Sequence, residues 1–78
     1  MTFKIVAIGD LKPNDRIRLI SMPHDPNPVE IGTLGTILKV APAQGLYGPL
    51  AAVAWDNGRT LSLVDIDVIE RVEPELVN

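Results

Sequence analysis

The sequence contains no cysteine and only one histidine, and its aromatic residues are one phenylalanine, one tryptophan and one tyrosine. The absence of cysteine excludes disulfides, thiolate zinc sites and thiol catalysis. His24 stands beside a single acid, Asp25, and this pair offers fewer ligands than a metal site needs. Without a second histidine, neither Ser21 nor Ser62 has the base that a hydrolytic triad requires. We therefore expect no enzyme, no catalytic residue, no metal and no cofactor.

A chain of 78 residues predicts a single domain, 1–78, with a thin core and little room for a deep pocket. A small domain without cysteine is typical of a reducing compartment, which favours a cytoplasmic location. The apolar segment 1–8 is interrupted by Lys4 and followed by Gly9-Asp10. Because it is too short for a signal peptide or a membrane span, we expect no membrane partner.

The charge is acidic overall and unevenly distributed. The net charge is −3, with five basic and four acidic residues in 1–40 against two basic and six acidic residues in 41–78. An acidic chain is a poor non-specific ligand for nucleic acid, because binding to phosphates needs a basic face. The first half nevertheless offers one basic stripe, formed by Lys12, Arg16, Arg18 and Lys39. This stripe keeps a nucleic-acid-binding module as the alternative function.

Alternating apolar residues predict an all-β domain. We expect a small SH3-like antiparallel barrel of five or six strands, near 2–8, 15–21, 35–41, 51–56, 59–64 and 68–72. Prolines and glycines place long loops at 22–34 and 42–50. A single 3₁₀ turn is predicted at Asp65–Asp67 and a frayed acidic tail at 73–78. Strand 2–8 either closes the barrel or pairs elsewhere, at an edge or across a dimer.

The hairpin around Asp56-Asn57-Gly58 allows its strand register to be predicted. A two-residue turn at Asn57-Gly58 would set Trp55 opposite Thr60. A three-residue loop with Gly58 in the left-handed position instead sets Trp55 opposite Arg59. The second register puts four large apolar residues on one inward face, so we expect it to be adopted, with the stem of Arg59 covering the indole. Those four residues are Val53, Trp55, Leu61 and Leu63.

Two details of the strand near Ile37 can also be predicted. Ile37 and Val40 are three residues apart, so burying both requires a β-bulge near Leu38-Lys39. Gly35 is expected where the chain bends sharply or where another backbone comes close. The predicted core consists of Ile5, Ile17, Leu19, Ile37, Val40, Val53, Trp55, Leu61 and Leu63.

Three segments together carry a family resemblance. These are Asp15–Met22, Gly32–Ile37 and the run Trp55–Leu61, the most specific of the three. Across about residues 12–73 the chain resembles domain of unknown function 4314, a family of short bacterial and phage proteins, although its insert at 42–50 is longer. The segments Asn14–Leu19 and Gly35–Val40 also resemble the KOW motif and the small SH3-like subunits of photosynthetic electron-transfer complexes. The resemblance implies an SH3-like fold and a bacterial or phage origin, and it implies no activity.

The loop 42–50 is the strongest candidate for a binding site. Its segment 46–50 carries Leu46, Tyr47 and Leu50, which either anchor a partner protein or fold back over one end of the barrel. His24, in the proline-rich loop, is predicted to border the same partner. We expect a non-enzymatic binding module, most simply a protein-interaction adaptor, present as a monomer or a weak homodimer.

Overall fold

The computed structural model describes residues 2–46 and 48–73 and contains one antiparallel sheet of six strands. Apart from the 3₁₀ turn Ile8–Asp10, the described residues form no helix. The prediction of an all-β domain with six strands is confirmed. The spatial order is β1-β6-β2-β3-β4-β5. The strands are β1 (Thr2–Val6), β2 (Arg16–Ser21), β3 (Leu34–Ala41), β4 (Leu50–Trp55), β5 (Leu63–Val64) and β6 (Val68–Glu73).

The sheet is open, because the described residues form no ladder between its outer strands β1 and β5. Strand β1 pairs with β6 alone among the described strands. Of the two predicted alternatives, the first strand therefore lies at an edge of the sheet and does not close a barrel. A single buried cluster nevertheless includes Leu63 near one edge and Ile69 near the other. The sheet thus curves around one core, and the predicted barrel is realised only as a curved, unclosed sheet.

The predicted hairpin register is confirmed. Gly58 has a φ of 89°, and its N–H donates to the Trp55 carbonyl at 2.9 Å. The Trp55 N–H donates to the Arg59 carbonyl at 3.1 Å, which closes a three-residue loop. The same register continues at the far end, where Ala51 is paired with Leu63. Trp55 and Leu63 are consequently buried on the inner face.

Strand β5 is shorter than predicted. A strand was expected over 59–64, but only Leu63–Val64 form a ladder with β4. The Trp55 indole Nε1–H donates to the Leu61 carbonyl at 2.7 Å. The Arg59 guanidinium reaches away to the carbonyls of Asn27 and Pro28. Residues 59–62 therefore run beside β4 without forming a regular ladder. Leu61 bonds the Trp55 side chain, and Arg59 bonds the loop at Asn27-Pro28.

The predicted bulge in β3 is present. The pairing with β4 shifts between Ile37, opposite Val53, and Lys39, opposite Ala52. Leu38 is the extra residue and is exposed, while Ile37 is fully buried. At Gly35 the nearest neighbours are side chains, rather than the sharp bend or neighbouring backbone that was expected. An added Cβ would lie 2.8 Å from Val53 Cγ1 and 2.9 Å from Trp55 Cε3.

The core differs from the predicted one in its contribution from the N-terminal segment. Ile5 was expected inside but is 63% exposed. Strand β1 ends at Val6 rather than at residue 8, and the 3₁₀ turn that follows sends Ile8 and Leu11 into the core instead. Every other predicted core residue is buried or packed against the cluster. The buried apolar residues that the prediction lacked are Ile8, Leu11, Met22, Val29, Ala51 and Ile69.

The remaining turns and loops position the surface around β5. Asp65-Ile66 form a turn closed by the Asp67 N–H, which donates to the Val64 carbonyl at 3.0 Å. The two long loops connect β2 to β3 and β3 to β4, as predicted, but Leu34 already belongs to β3 and Leu50 to β4. Of the predicted tail, Glu73 ends β6, and 74–78 lie outside the described residues.

Candidate protein-binding surface

An exposed apolar surface surrounds the outer face of β5. We call it the β5 patch and define it by Leu46, Leu50 and Val64, which are 102%, 45% and 40% exposed. Leu50 and Val64 are directly paired across β4 and β5, so their side chains share the outer face of the sheet. Leu46 is contributed by the loop between β3 and β4. Three chain segments thus bring apolar side chains to one place.

Two shallow grooves meet at Val64. The first has a volume of about 470 Å³, and it is lined by Leu46, Gly48, Pro49, Leu50, Val64 and Asp65. The second has a volume of about 230 Å³, and it is lined by His24, Asp25, Ser62, Val64 and Asp67. Both grooves are open to solvent. The first is apolar at Leu50 and acidic at Asp65, and the second is lined by Asp25 and Asp67. This geometry suits the seating of side chains from a partner rather than enclosure of a small molecule.

The structure brings together three of the four residues that the sequence analysis assigned to protein binding. Leu46 and Leu50 line the first groove, and His24 lines the second. Tyr47 lies outside the described residues. Leu46 is fully exposed, so this side chain does not cover the core as the alternative interpretation of the loop required.

Sequence reasoning missed Val64 and Ile66 as surface residues. The hairpin register already contained the signal for Val64: if Leu63 points inward, Val64 points outward. Ile66 lies in the turn that follows β5, where strand alternation ends, so the strand pattern carries no signal for its exposure. Asp65 and Asp67, on either side of Ile66, give the patch its acidic border.

Asp67 is the one buried charged residue of the described chain. Its Oδ2 accepts a hydrogen bond from the Val64 N–H at 2.9 Å. Burial raises the pKa of the Asp67 carboxyl above its ordinary value. The Val64 hydrogen bond and His24 act in the opposite direction, while the negative charges of Asp25 and Asp65 add to the rise. The carboxyl groups of Asp25 and Asp65 are therefore near enough to act on Asp67 electrostatically.

The arginines predicted to form a nucleic-acid-binding stripe are both paired with carboxylates. Arg16 binds Asp56 through two hydrogen bonds of 2.8 and 2.7 Å. These bonds raise the pKa of Arg16 and lower the pKa of Asp56. Arg18 binds Glu70 at 2.6 Å, and its guanidinium carbon lies 3.9 Å from the centre of the Phe3 ring. Their positive charges are largely compensated within the molecule.

The two lysines of the predicted stripe lie in different surroundings. Lys12 is exposed, and its main-chain N–H donates to the Asp15 carboxylate at 2.9 Å. Lys39 lies on β3 and borders a third shallow groove of about 170 Å³, together with Ala41, Leu50 and Ala52. Lys39 thus adjoins the β5 patch through Leu50, on the side away from the carboxylates.

No cluster of three or more potential metal ligands occurs within residues 2–46 and 48–73. Over the same residues, no helix has the length and apolar character needed to cross a membrane. Comparison of the chain with protein-family models, curated proteins and solved structures found no match.

Proposed function

We propose that this chain is a non-enzymatic protein-binding module that docks a partner protein on the β5 patch. The observation that carries the proposal is the convergence of Leu46, Leu50 and Val64 on one exposed surface, where all three line the first groove. Exposed apolar residues are common singly, but a contiguous group beside grooves is typical of an interaction site. Apolar anchors at the centre of such a surface supply most of the binding energy.

The charges at the border of the patch specify the partner further. Asp65 lines the first groove, and Asp25 and Asp67 line the second. A partner surface that presents an apolar side chain next to a lysine or arginine complements this arrangement. Such complementarity contributes to specificity and to the rate of association. We regard the module as an adaptor, and a bacterial or phage origin and a cytoplasmic location remain part of the proposal.

Nucleic acid receives less support as the ligand. Arg16 and Arg18 direct their guanidinium groups to Asp56 and Glu70. Releasing counterions from a phosphate backbone requires cations that are available to bind it. The acidic side chains around the β5 patch oppose a polyanion on that face. A titration of short RNA and DNA at low salt tests the alternative directly.

The experiment compares three baits in extracts of the native host, followed by titration of any purified partner. The wild-type chain is set against the double variant Leu46→Ser and Leu50→Ser, whose side chains are exposed and line the first groove. The matched control is Ile31→Ser, because Ile31 is 74% exposed and lies outside the patch. We expect the patch variant to weaken the purified complex at least about tenfold and the control to leave it unchanged. Equal affinity of all three for the partner, or tight binding of RNA or DNA instead, would overturn the proposal.

A further inference from the structure

The two edges of the sheet differ in whether their outward main-chain groups are occupied. Along an antiparallel strand, the N–H and C=O groups of successive residues point alternately to one neighbour and to the other. The Trp55 N–H donates to the Arg59 carbonyl. In this register Leu63 points its main-chain groups toward β4, and Val64 points them away from it. Val64 is therefore the residue of β5 that faces outward.

Asp67 occupies both main-chain groups of Val64. Its carboxylate accepts from the Val64 N–H at 2.9 Å, and its own N–H donates to the Val64 carbonyl at 3.0 Å. These two bonds take the place of those that a residue on an added strand would make. The β5 edge is consequently closed to strand addition, which is one way in which proteins protect an edge.

At the opposite edge, the same alternation can be followed from β2. The Leu19 N–H donates to the chain entering β3. Arg18, its neighbour, therefore points its main-chain groups toward β6, where its partner is Glu70. The next residue of β6, Arg71, points toward β1, where its partner is Lys4. Lys4 thus uses its main-chain groups to bond β6.

Phe3 and Ile5 flank Lys4, so their N–H and C=O groups point away from β6, to the side on which the described residues place no further strand. Their side chains are 41% and 63% exposed on the outer face of the sheet. Strand β1 contains no proline, and its pairing with β6 is regular from Thr2 to Val6. The edge thus presents four main-chain groups and two apolar side chains, and β1 contains neither a proline nor a bulge that would hinder pairing.

The charge of β1 selects among the strands that could join it. Lys4 is the only charged residue of the strand, and it lies opposite Arg71. A second copy that paired Phe3 with Ile5 across a two-fold axis would place its Lys4 directly beside the first. Like charges directly opposite one another destabilise a strand pair, whereas a carboxylate opposite a lysine stabilises it.

We propose that β1 is a second interaction edge, separate from the β5 patch, and that it binds an extended segment of a partner protein in which apolar and carboxylate side chains alternate. The segment adds as a seventh strand. Its main chain bonds Phe3 and Ile5, a carboxylate faces Lys4, and its apolar residues extend the outer face. This mode of recognition takes affinity from main-chain hydrogen bonds and specificity from alternate side chains.

The test uses two capped heptapeptides, one alternating valine with glutamate and the other alternating valine with lysine. Each is titrated into the ¹⁵N-labelled chain at low salt while amide chemical shifts are recorded. We expect the glutamate peptide to shift the amides of β1 and to bind at least about fivefold more tightly than the lysine peptide. Lys4→Glu should reverse this preference.

A proline substitution separates strand addition from a simple charge effect. Ile5→Pro removes an N–H that points away from β6, so the ladder with β6 is retained, and binding of the glutamate peptide should be lost. The control Thr2→Val leaves the outward groups in place and should bind as the wild type does. Equal binding of both peptides, shifts confined to β5, or full binding by Ile5→Pro would overturn the proposal. So would a wild-type dimer in sedimentation that Ile5→Pro dissolves, because a second copy would then occupy the edge.

Discussion

Arg59 fastens the proline-rich loop to the hairpin by donating to the Asn27 carbonyl at 2.6 Å. A second hydrogen bond from the same guanidinium reaches the Pro28 carbonyl at 3.1 Å. The next residue, Val29, is buried in the core. One side chain from the end of the hairpin loop therefore holds the proline-rich loop in place. The same loop positions His24 beside Val64 of the β5 patch.

Replacing Arg59 by alanine should release the loop. Two carbonyls lose a charged donor, and we expect a loss of about 1 kcal/mol in the free energy of unfolding. Amide exchange over 24–30 should accelerate while the amides of β2 and β3 keep their protection. Hydrogen exchange measured by NMR checks this, with Lys12→Ala as an exposed cationic control. Unchanged exchange in the loop would show that Val29 alone holds it.

The hairpin loop depends on the left-handed conformation of Gly58. Its φ is 89°, and an added Cβ would meet no atom within 4 Å. Gly58→Ala should therefore cost about 1 kcal/mol through backbone strain alone. Gly58→Asn should cost less, because asparagine tolerates this region. Urea unfolding followed by the fluorescence of Trp55 measures both, and equal losses for the two variants would contradict the explanation.

Gly35 is needed for a different reason. Its backbone conformation is open to any residue, but neighbouring side chains leave no space for a Cβ. An alanine Cβ would meet Val53 Cγ1 at 2.8 Å and Trp55 Cε3 at 2.9 Å. Gly35→Ala should cost about 1–3 kcal/mol by overpacking. The companion change Val53→Ala removes one of the two obstacles. If the strain is local, Gly35→Ala should cost less in the Val53→Ala background, and a double-mutant cycle measures this difference.

The parts of this fold that the sequence predicts are those decided by local alternation. The register at Trp55 and Arg59 follows from counting which face collects the large apolar residues, and the bulge beside Ile37 follows from spacing alone. Ile5 was placed wrongly because the pattern of β1 does not show which of its two faces points inward. The register with β6 sets Ile5 opposite Glu70 on the outer face, whereas Val6, opposite Ile69, packs against the core.

Part of the candidate surface could be located from the sequence. Leu46, Leu50 and His24 were identified from loop composition, and the structure brings them around Val64. The closure of the β5 edge by Asp67 could not be predicted. It depends on a carboxylate that bonds a main-chain N–H three residues earlier, and the sequence does not give the turn geometry that brings these two groups together. The pairing of Arg18 with Glu70 could not be predicted for a different reason, because it joins residues 52 positions apart.

Asp67 should give the chain an unusual pH dependence of stability. Burial raises the pKa of its carboxyl in the folded state above the ordinary value of 3.8. The folded state therefore binds this proton more tightly than the unfolded state does. The stabilisation from protonation is fully present below the unfolded-state pKa, and it is lost as the pH rises through the folded-state pKa. At neutral pH the buried charge lowers the free energy of unfolding.

Asp67→Asn removes the charge and keeps an oxygen that can accept from the Val64 N–H. Its melting temperature should exceed that of the wild type near pH 7, and the two should converge as the pH falls toward about 4. Asp67→Ala also removes the acceptor and leaves the Val64 N–H unpaired, so it should melt below Asp67→Asn at every pH. Thermal melts across this range distinguish the two effects, because other titrating groups are common to all three proteins. Wild-type and Asp67→Asn curves that run parallel would show that the Asp67 charge carries no cost in the folded state.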